Sequence, residues 1–294
     1  VFDGVHLGHK YLIKQLKELA AQQDLYPIII TFDKHPQEIL NPDDNPPFLT
    51  DPEEKSRLLK SEGVDNVILL PFSREIADIE ANEFIRILID NLQMKSMVIG
   101  PDFALGKGAH GNINAIRQIG KELGFTVTVI PPIKINDEII SSTSIRKALS
   151  EGKMEKVRQF MGRPFSLHGH VVHGHGRGTG VVGFPTVNLK MQSGQALPGD
   201  GVYATRALVH NTVLPSVTNI GNNPTFGDAE ISIESYLIDF QDNLYNHEVK
   251  IDFIKKLRDE VKFSSAEKLA DQITEDVKSA RSILNIEAKD RNEQ

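Results

Sequence analysis

Short apolar runs alternate with amphipathic segments along the first half of the chain. Leu12, Ile13, Leu16 and Leu19 recur at the spacing of one helical face. The pattern predicts strands over residues 27–32, 64–70, 97–100 and 125–130, separated by helices that include 81–92 and 112–124. Such alternation predicts an α/β fold with a parallel sheet covered by helices on both faces. Ligands of such sheets bind at the carboxyl ends of the strands.

One helix start in this half carries its own signal. Thr50 and Glu53 have the spacing of a capping box, and Gly63 is placed to end the helix that they begin. We therefore predict a helix between these residues.

The pattern changes after Gly162-Arg163-Pro164. Alternating apolar and polar positions predict antiparallel strands over 166–172, 202–209, 213–219, 231–239 and 248–254, with a hairpin turn at 210–212. Five or six such strands favour a small β-barrel. Ser264 and Glu267 form a second capping box, which predicts a last helix ending near Ile286. We place the domain boundary between residues 160 and 161, giving domains 1–160 and 161–294.

Composition narrows the class of protein. The chain has 294 residues, enough for two domains, and a net charge of −7, which argues against a surface that coats nucleic acid. It has no cysteine, so it has neither a disulfide nor a thiolate metal site. No apolar run approaches the ~18 residues of a membrane span. We expect a cytoplasmic protein with no nucleic-acid or membrane partner; the oligomeric state stays open.

The first chemical motif is His6-Leu7-Gly8-His9, just ahead of the first amphipathic helix. Two imidazoles one turn apart at the positive end of a helix suit a triphosphate, and Gly8 allows a phosphate close to the backbone. The alternative is two surface histidines that begin a helix.

The second motif is Ser141-Ser142-Thr143-Ser144-Ile145-Arg146. Hydroxyl and amide groups at a helix start can hold phosphate oxygens, and Arg146 lies three residues beyond Thr143 on the same face. The alternative is an ordinary helix cap followed by a solvated arginine.

Taken together, the motifs resemble those of a known family. The segments Phe2-Asp3-Gly4-Val5-His6-Leu7-Gly8-His9 and Ser141-Ser142-Thr143-x-x-Arg146 look like the two signatures of nucleotidyltransferases. Three more narrow the resemblance: Thr31-Phe32-Asp33-Lys34-His35-Pro36, Gly100-Pro101-Asp102-Phe103-Ala104-Leu105-Gly106 and Gly183-Phe184-Pro185-Thr186-Val187-Asn188. The chain resembles the bacterial bifunctional riboflavin kinases/FMN adenylyltransferases, also called FAD synthetases, from Val1 to about Leu284.

The resemblance implies that the first domain transfers the adenylyl group of ATP to FMN, giving FAD and pyrophosphate. It implies that residues of both signatures bind ATP: Phe2, Gly4, His6, Gly8, His9, Ser142, Thr143 and Arg146. Of these, His6, His9 and Arg146 would stabilise charge during the reaction. FMN would lie near His35, Asp102 and Asn112. For His35 the alternative is a loop histidine beside Pro36, and for Asp102 a turn residue after Pro101.

For the barrel, the resemblance implies phosphorylation of riboflavin to FMN by ATP. ATP would bind to a glycine-rich loop and the segment beyond it: Gly174, Gly176, Arg177, Gly178, Pro185, Thr186 and Asn188. Thr186 and Asn188 offer the hard oxygen ligands that Mg²⁺ prefers. Glu234 matches the general base and Arg258 the flavin-side helix; the alternatives are a solvated glutamate and a surface ion pair. The glycine-rich segment alone is equally consistent with an ordinary loop.

Four histidines admit a different interpretation. His168, His170, His173 and His175 alternate along one segment, and His168 and His170 face the same side of a strand. A zinc or nickel site is therefore an alternative, although neither implied activity needs a transition metal.

Departures from the family pattern lead to further expectations. A strand ending in glycine normally precedes Phe-Asp-Gly, whereas only Val1 precedes Phe2 here, so we expect the sheet to lack a central strand and the ATP pocket to lack a wall. Val187 stands where alanine is usual. Asn246 stands where glycine is common, and we expect its turn to form because asparagine tolerates the left-handed conformation.

Two rival functions remain from the sequence. One is a nucleotidyltransferase for another phosphate ester with an accessory barrel, which would not need Thr186, Asn188 and Glu234. The other is a flavin storage module, which would need no Mg²⁺ ligands.

Overall fold

The computed structural model describes residues 1–172, 184–191, 193–223, 230–240, 242 and 244–285. The chain divides into two compact units, Val1–Ser142 and Thr143–Gln294. The division falls inside one helix.

The first unit consists of helices between short strands, of which the first four are parallel and the last two form an antiparallel pair. Its helices are α1 (Leu7–Gln22), α2 (Pro36–Leu40), α3 (Pro52–Ser61), α4 (Arg74–Ala77), α5 (Ala81–Leu92) and α6 (Ile113–Leu123). Its strands are β1 (Ile28–Phe32), β2 (Asn66–Leu70), β3 (Ser96–Ile99), β4 (Thr126–Val129), β5 (Lys134–Ile135) and β6 (Glu138–Ile139). Short 3-10 turns occupy Pro42–Asp44 and Lys107–Ala109.

The parallel strands of this unit form two hydrogen-bonded pairs, β1 with β2 and β3 with β4. Each pair has its own apolar cluster. Val5, Ile13, Ile29, Leu59 and Val64 pack between α1, β1 and α3, and Ile85, Ile99, Ile116 and Phe125 pack between α5, α6 and the second pair. The predicted α/β organisation is confirmed, with the parallel strands in two pairs.

The predicted capping box at Thr50 is wrong by one residue. Asp51 is the N-cap of α3, and its carboxylate accepts a hydrogen bond of 2.8 Å from the Glu54 amide. The Thr50 hydroxyl instead accepts from the Gly4 amide at 3.1 Å. The loop at Gly4 therefore binds the Thr50 hydroxyl, which the local sequence pattern assigned to the cap of α3.

The second unit begins with α7 (Ser142–Ser150) and α8 (Met154–Met161) and ends with α9 (Ala266–Leu284). Between them lie β7 (Phe165–Val172), β8 (Thr186–Met191), β9 (Gly201–Val209), β10 (Thr212–Asn223), β11 (Glu230–Leu237) and β12 (Glu248–Arg258). These strands close into a barrel in the order β10-β11-β8-β7-β12-β9. The predicted barrel is confirmed, and β8 supplies the strand that the hydrophobic pattern did not show.

Turn residues of the barrel behave as their chemistry predicts. His210 and Asn211 have φ values of 45° and 69° in the tight hairpin between β9 and β10, and Asn246 adopts φ 65°. The predicted N-cap of the last helix is wrong by one residue. Ser265, not Ser264, caps α9, and its hydroxyl accepts a hydrogen bond from the Lys268 amide at 3.3 Å.

The two faces of the barrel strands differ in polarity. Thr205, Ser216, Thr218 and Ser235 are fully buried and form a chain of hydroxyl contacts of 2.7–3.0 Å across β9, β10 and β11. On the alternate face, Val202, Ala204, Val217 and Tyr236 pack with Ala280 of α9. The hydroxyl chain thus fixes the three strands beneath the face on which Glu234 lies.

Candidate active sites

The first candidate site begins where the chain enters α1. His6 is the N-cap of α1, and its Nδ1 accepts from the His9 amide at 3.4 Å. The two rings stack with centroids 3.7 Å apart and planes at 19°. His6 is 5% exposed, so the alternative of two surface histidines is wrong for this residue.

His9 carries the clearest sign of a ligand site. Burial, followed by repulsion from His6, lowers the pKa of His9 well below its usual range. Its Nδ1 is buried and has no hydrogen-bond partner among the residues that the structure describes. Phe2 lies against the ring, with centroids 5.0 Å apart. A neutral, buried imidazole nitrogen of this kind is suited to a partner supplied by a bound molecule.

The loop before His6 is held in a backbone conformation that few residues adopt. Gly4 has φ 79°, and a Cβ on it would lie 2.9 Å from Leu49 Cδ1. Val5 is fully buried at φ 35°, a left-handed conformation that is costly for a β-branched residue. The Asp3 carboxylate accepts from the amides of Leu49 and Thr50 at 2.9 and 3.2 Å. Side chains and amides from a distant segment therefore hold this loop.

The first signature contacts Ser142, the residue of the second signature that ends the first unit. Ser142 Oγ donates to the Asp3 carbonyl oxygen at 3.0 Å. A Cβ on Gly8 would lie 3.0 Å from His6 Cε1 and 3.3 Å from the Ile140 carbonyl oxygen. Gly8 therefore leaves room for the segment that leads into the second signature. Thr143, which is exposed, and the partly buried Arg146 follow Ser142 in α7, one turn apart.

The three residues expected near FMN have local structural roles. His35 Nδ1 accepts from the Gln37 amide at 3.2 Å as the N-cap of α2. Asn112 Oδ1 accepts from the amides of Asn114 and Ala115 at 3.0 and 3.1 Å as the N-cap of α6. Asp102 is exposed in a turn. These contacts leave the predicted roles in FMN binding untested.

The second candidate site lies across three neighbouring barrel strands. Asn188 of β8 and Asn219 of β10 pair with Glu234 of β11 from its two sides. Directly opposed residues share a face and place their Cβ atoms about 4.5–5.5 Å apart. Ser232 Oγ donates to Glu234 Oε1 at 3.2 Å. A carboxylate is thus flanked by two amides and fixed by a hydroxyl.

Thr186 extends this polar row. It shares its face with Asn188, two residues further along β8, and pairs with Tyr236. The Tyr236 ring contacts Phe184 edge-on, with centroids 5.2 Å apart, next to Pro185. Aromatic packing therefore supports the segment that carries the oxygen donors. Gly174, Gly176, Arg177 and Gly178 lie outside the described residues.

Arg258 differs from both sequence interpretations. It ends strand β12 and is not in a helix, and its ion pair is with Asp276 of α9, while Nη1 donates to the Asp259 carbonyl oxygen at 3.1 Å. Nε and Nη2 donate to the Asp276 carboxylate at 3.0 and 2.8 Å, and that carboxylate is 4% exposed. The ion pair is therefore largely buried and fixes α9 to the barrel.

The histidine alternative is tested only in part. His168 and His170 lie on one face of β7, and His173 and His175 lie outside the described residues. In the part of the chain that is described, no group of three or more histidine, aspartate or glutamate side chains could hold a metal ion. Also within that part, no helix is long and apolar enough to cross a membrane.

Comparisons with known proteins match both halves. A family model described as FAD synthetase matches residues 1–144, and one described as riboflavin kinase matches residues 161–284. A bifunctional riboflavin kinase/FMN adenylyltransferase of Escherichia coli strain K12 is 34% identical over 287 residues, covering 97% of this chain and 91% of that protein. The chain belongs to this family.

Other relatives match this chain at a similar sequence identity and over a similar share of its length. The Listeria monocytogenes bifunctional riboflavin kinase/FMN adenylyltransferase is 34% identical, covering 96% of this chain and 90% of its own. A solved structure described as a macrolide-efflux protein from Streptococcus pneumoniae is 31% identical, with a TM-score of 0.86 over 95% of this chain and 91% of its own. The whole fold, barrel included, is thus shared with a solved structure.

Several residues at these family sites were missed by sequence reasoning. Asp3 lies inside the quoted motif, but only the structure shows its contacts with Leu49 and Thr50. Asn219 gives no local signal, because its position beside Glu234 depends on strand register. Gly221 did offer one, since glycine inside a strand often marks a close approach. A Cβ there would lie 2.7 Å from Glu260 Cδ.

Proposed function

We propose that the chain makes FMN from riboflavin and ATP in its barrel and FAD from FMN and a second ATP in its first domain. The observation that carries this is the presence, in one chain, of both matched families, each over the residues whose geometry suits its chemistry. We take 1–160 and 161–294 as the two functional domains. The protein would act in the cytoplasm on small molecules and without nucleic acid.

In the kinase reaction Glu234 would act as the general base. The carboxylate would accept the proton of the terminal ribityl hydroxyl as that oxygen attacks the γ-phosphorus of ATP, and ADP would leave. The contact with Ser232 keeps one carboxylate oxygen in place and leaves the other for the substrate. Arg258 would act on the flavin side by holding α9 against the barrel.

The oxygen donors of β8 fit a magnesium ion. Thr186 and Asn188 offer a hydroxyl and an amide oxygen on one strand face, and hard oxygen ligands are what Mg²⁺ selects. A bound Mg²⁺ would supply charge neutralisation on the phosphates of ATP. Asn188 lies opposite Glu234, so the phosphoryl donor and the general base would be held by adjacent strands. Pro185 and the glycine-rich residues 174, 176 and 178, with Arg177, would complete the ATP site.

In the adenylyl transfer the protein would supply position and charge but no nucleophile. An FMN phosphate oxygen would attack the α-phosphorus of ATP, and pyrophosphate would leave. His6, His9 and Arg146 would stabilise the negative charge that builds up on the leaving group. Phe2, Gly4, Gly8, Ser142 and Thr143 would bind the nucleotide, and His35, Asp102 and Asn112 would bind FMN. The stacked histidines and the buried His9 Nδ1 support this assignment.

The assay incubates the protein with riboflavin, ATP and Mg²⁺ and separates the flavins over time. We expect FMN to appear first and FAD to follow, with ADP and pyrophosphate as the second products. A chelator should stop both steps, and added Mg²⁺ should restore them.

FAD formation from supplied FMN without any FMN formation from riboflavin would leave an adenylyltransferase with an accessory barrel. Flavin binding without turnover would leave a storage protein. Tight zinc on which activity depends would favour the histidine site.

A further inference from the structure

Lys55 is a buried cation on α3 that the roles described above do not use. The residue is 4% exposed. Its ammonium donates to the carbonyl oxygens of Phe32 and Asp33 at 2.6 and 3.2 Å. A buried ammonium is costly unless it is paired, so a lysine here needs nearby negative charge.

Three carboxylates supply that charge. Burial lowers the pKa of Lys55, and the charges of Asp3, Asp33 and Asp51 oppose this effect. Each carboxylate also holds a backbone segment. Asp3 accepts from the amides of Leu49 and Thr50, Asp33 Oδ1 accepts from the Phe72 amide at 3.0 Å, and Asp51 caps α3.

Lys55 therefore lies at a junction between the loops of the first candidate site. The Phe32 and Asp33 carbonyls end β1 and lead directly to His35. Asp3 belongs to the loop that leads to His6 and His9 and that accepts the Ser142 hydroxyl. The Thr50 hydroxyl connects the segment before α3 to Gly4. The segments expected to hold FMN and ATP are thus tied through one helix.

We propose that Lys55 is a positioning residue for adenylyl transfer: its ammonium holds the β1 loop that leads to His35 in register with the loop that carries His6 and His9. This inference rests on the proposed FMN adenylyltransferase activity. In-line attack requires the FMN phosphate and the α-phosphorus of ATP to be placed to within a fraction of an ångström of their reactive geometry, and a misplacement of ~1 Å costs about 10²-fold in rate. Without the ammonium, two carbonyls lose their donor and three carboxylates lose a favourable charge.

The test compares Lys55→Met, Lys55→Gln and Lys55→Arg, with Lys60→Met as the matched control. Lys60 lies on the same helix and is exposed. The full chain is assayed for FAD formation from supplied FMN, with kcat and the KM for FMN and for ATP measured separately. FMN formation by the barrel is the internal control, and far-UV circular dichroism gives the folded fraction by which each rate is divided.

We expect Lys55→Met to lower kcat for FAD formation about 10- to 100-fold, a range set by the cost of misplacing reacting groups. The KM for FMN should rise more than the KM for ATP, and riboflavin phosphorylation should be unchanged. Lys55→Arg, which keeps the charge and the donors, should recover most of the rate, and Lys55→Gln should lie between Arg and Met. Lys60→Met should match the parent.

Three results would overturn the inference. One is a parental kcat in folded Lys55→Met. Another is an Arg variant that is folded but as slow as Gln, since charge would then not matter. The last is a loss fully accounted for by the unfolded fraction. If Met alone fails to fold, the Arg-to-Gln comparison decides the matter. A parent that makes no FAD at all would instead reject the proposed activity, so the two failures are distinguishable.

Discussion

The two candidate sites achieve their geometry in different ways. In the first unit, Asp3, Thr50 and Lys55 connect loops that are distant in sequence by hydrogen bonds. In the barrel, Asn188, Glu234 and Asn219 are adjacent because their strands pair in a fixed register. A site built from loops depends on each anchoring contact, whereas a site built on strands inherits its precision from the backbone ladder. The first site should therefore be sensitive to changes around it, and the second mainly to changes at the reacting groups.

The largest effect expected is that of Glu234→Gln on FMN formation. Glutamine keeps the shape and the Ser232 contact but cannot take up the ribityl proton, so the rate should fall on the order of 10²- to 10⁴-fold. FAD formation from supplied FMN, measured by chromatography, should stay within about twofold of the parent because the two reactions are assigned to different domains. Equal loss of both activities would remove the distinction between the sites.

His9→Ala should have the next largest effect, on FAD formation alone. The loss of one charge-stabilising group typically costs on the order of 10²- to 10³-fold in rate. The variant should accumulate FMN from riboflavin at the parental rate and make little FAD. A parental rate of FAD formation would mean that the stacked histidines merely begin α1.

Gly8→Ala tests how sensitive the loop-built site is. The added methyl group would lie 3.0 Å from His6 Cε1 and 3.3 Å from the Ile140 carbonyl oxygen, so His6 must move. We expect FAD formation to fall about tenfold, a few tenths of an ångström costing less than the ~10²-fold of a full 1 Å shift. FMN formation by the barrel in the same variant is the internal control. If Gly8→Ala makes FAD at the parental rate, close packing at Gly8 is not what positions His6.

The smallest effect expected is a pH dependence of ATP binding at the first site. Burial and His6 lower the pKa of His9, so this ring is neutral near pH 7 before ATP binds. A triphosphate favours the protonated ring and raises that pKa, so the bound state holds more protons than the free state. Binding should therefore strengthen as the pH falls from 8 to 6, by less than about tenfold over the whole range. The KM for ATP in FAD formation measures this, and His9→Ala should remove the dependence.

The barrel could be predicted further from sequence than its site could. Alternating polarity and the turn residues His210 and Asn211 are local signals, and both were sufficient for their elements. Strand β8 was missed for two reasons. Its residues do not alternate clearly between polar and apolar, and its first residues belong to the Pro-Thr-Val-Asn motif. The neighbours of Glu234 were not predictable, because register across three strands is a long-range property.

In the first unit the motifs could be recognised in the sequence, but the contacts that hold them in place could not be predicted. His6 and His9 follow from helix spacing, and Asn112 was correctly placed at the start of its helix. Thr50 was assigned to a helix cap because local patterns do not show that the Gly4 amide competes for its hydroxyl. Lys55 gives no local signal in the sequence, and only the structure shows that it is buried and donates to the Phe32 and Asp33 carbonyl oxygens. Local chemistry was predictable, and contacts between distant loops were not.

Complementation tests the central claim of two independent sites most directly. Glu234→Gln and His9→Ala are each incubated with riboflavin, ATP and Mg²⁺, separately and then mixed in one tube, and the FAD formed is measured. Each variant alone should make little FAD, because one lacks the first reaction and the other the second. The mixture should make FAD at a rate near that of the parent, since free FMN can pass from the His9→Ala protein to the Glu234→Gln protein. A mixture no better than the variants alone, with FMN present in solution, would contradict the assignment of the two reactions to separate sites.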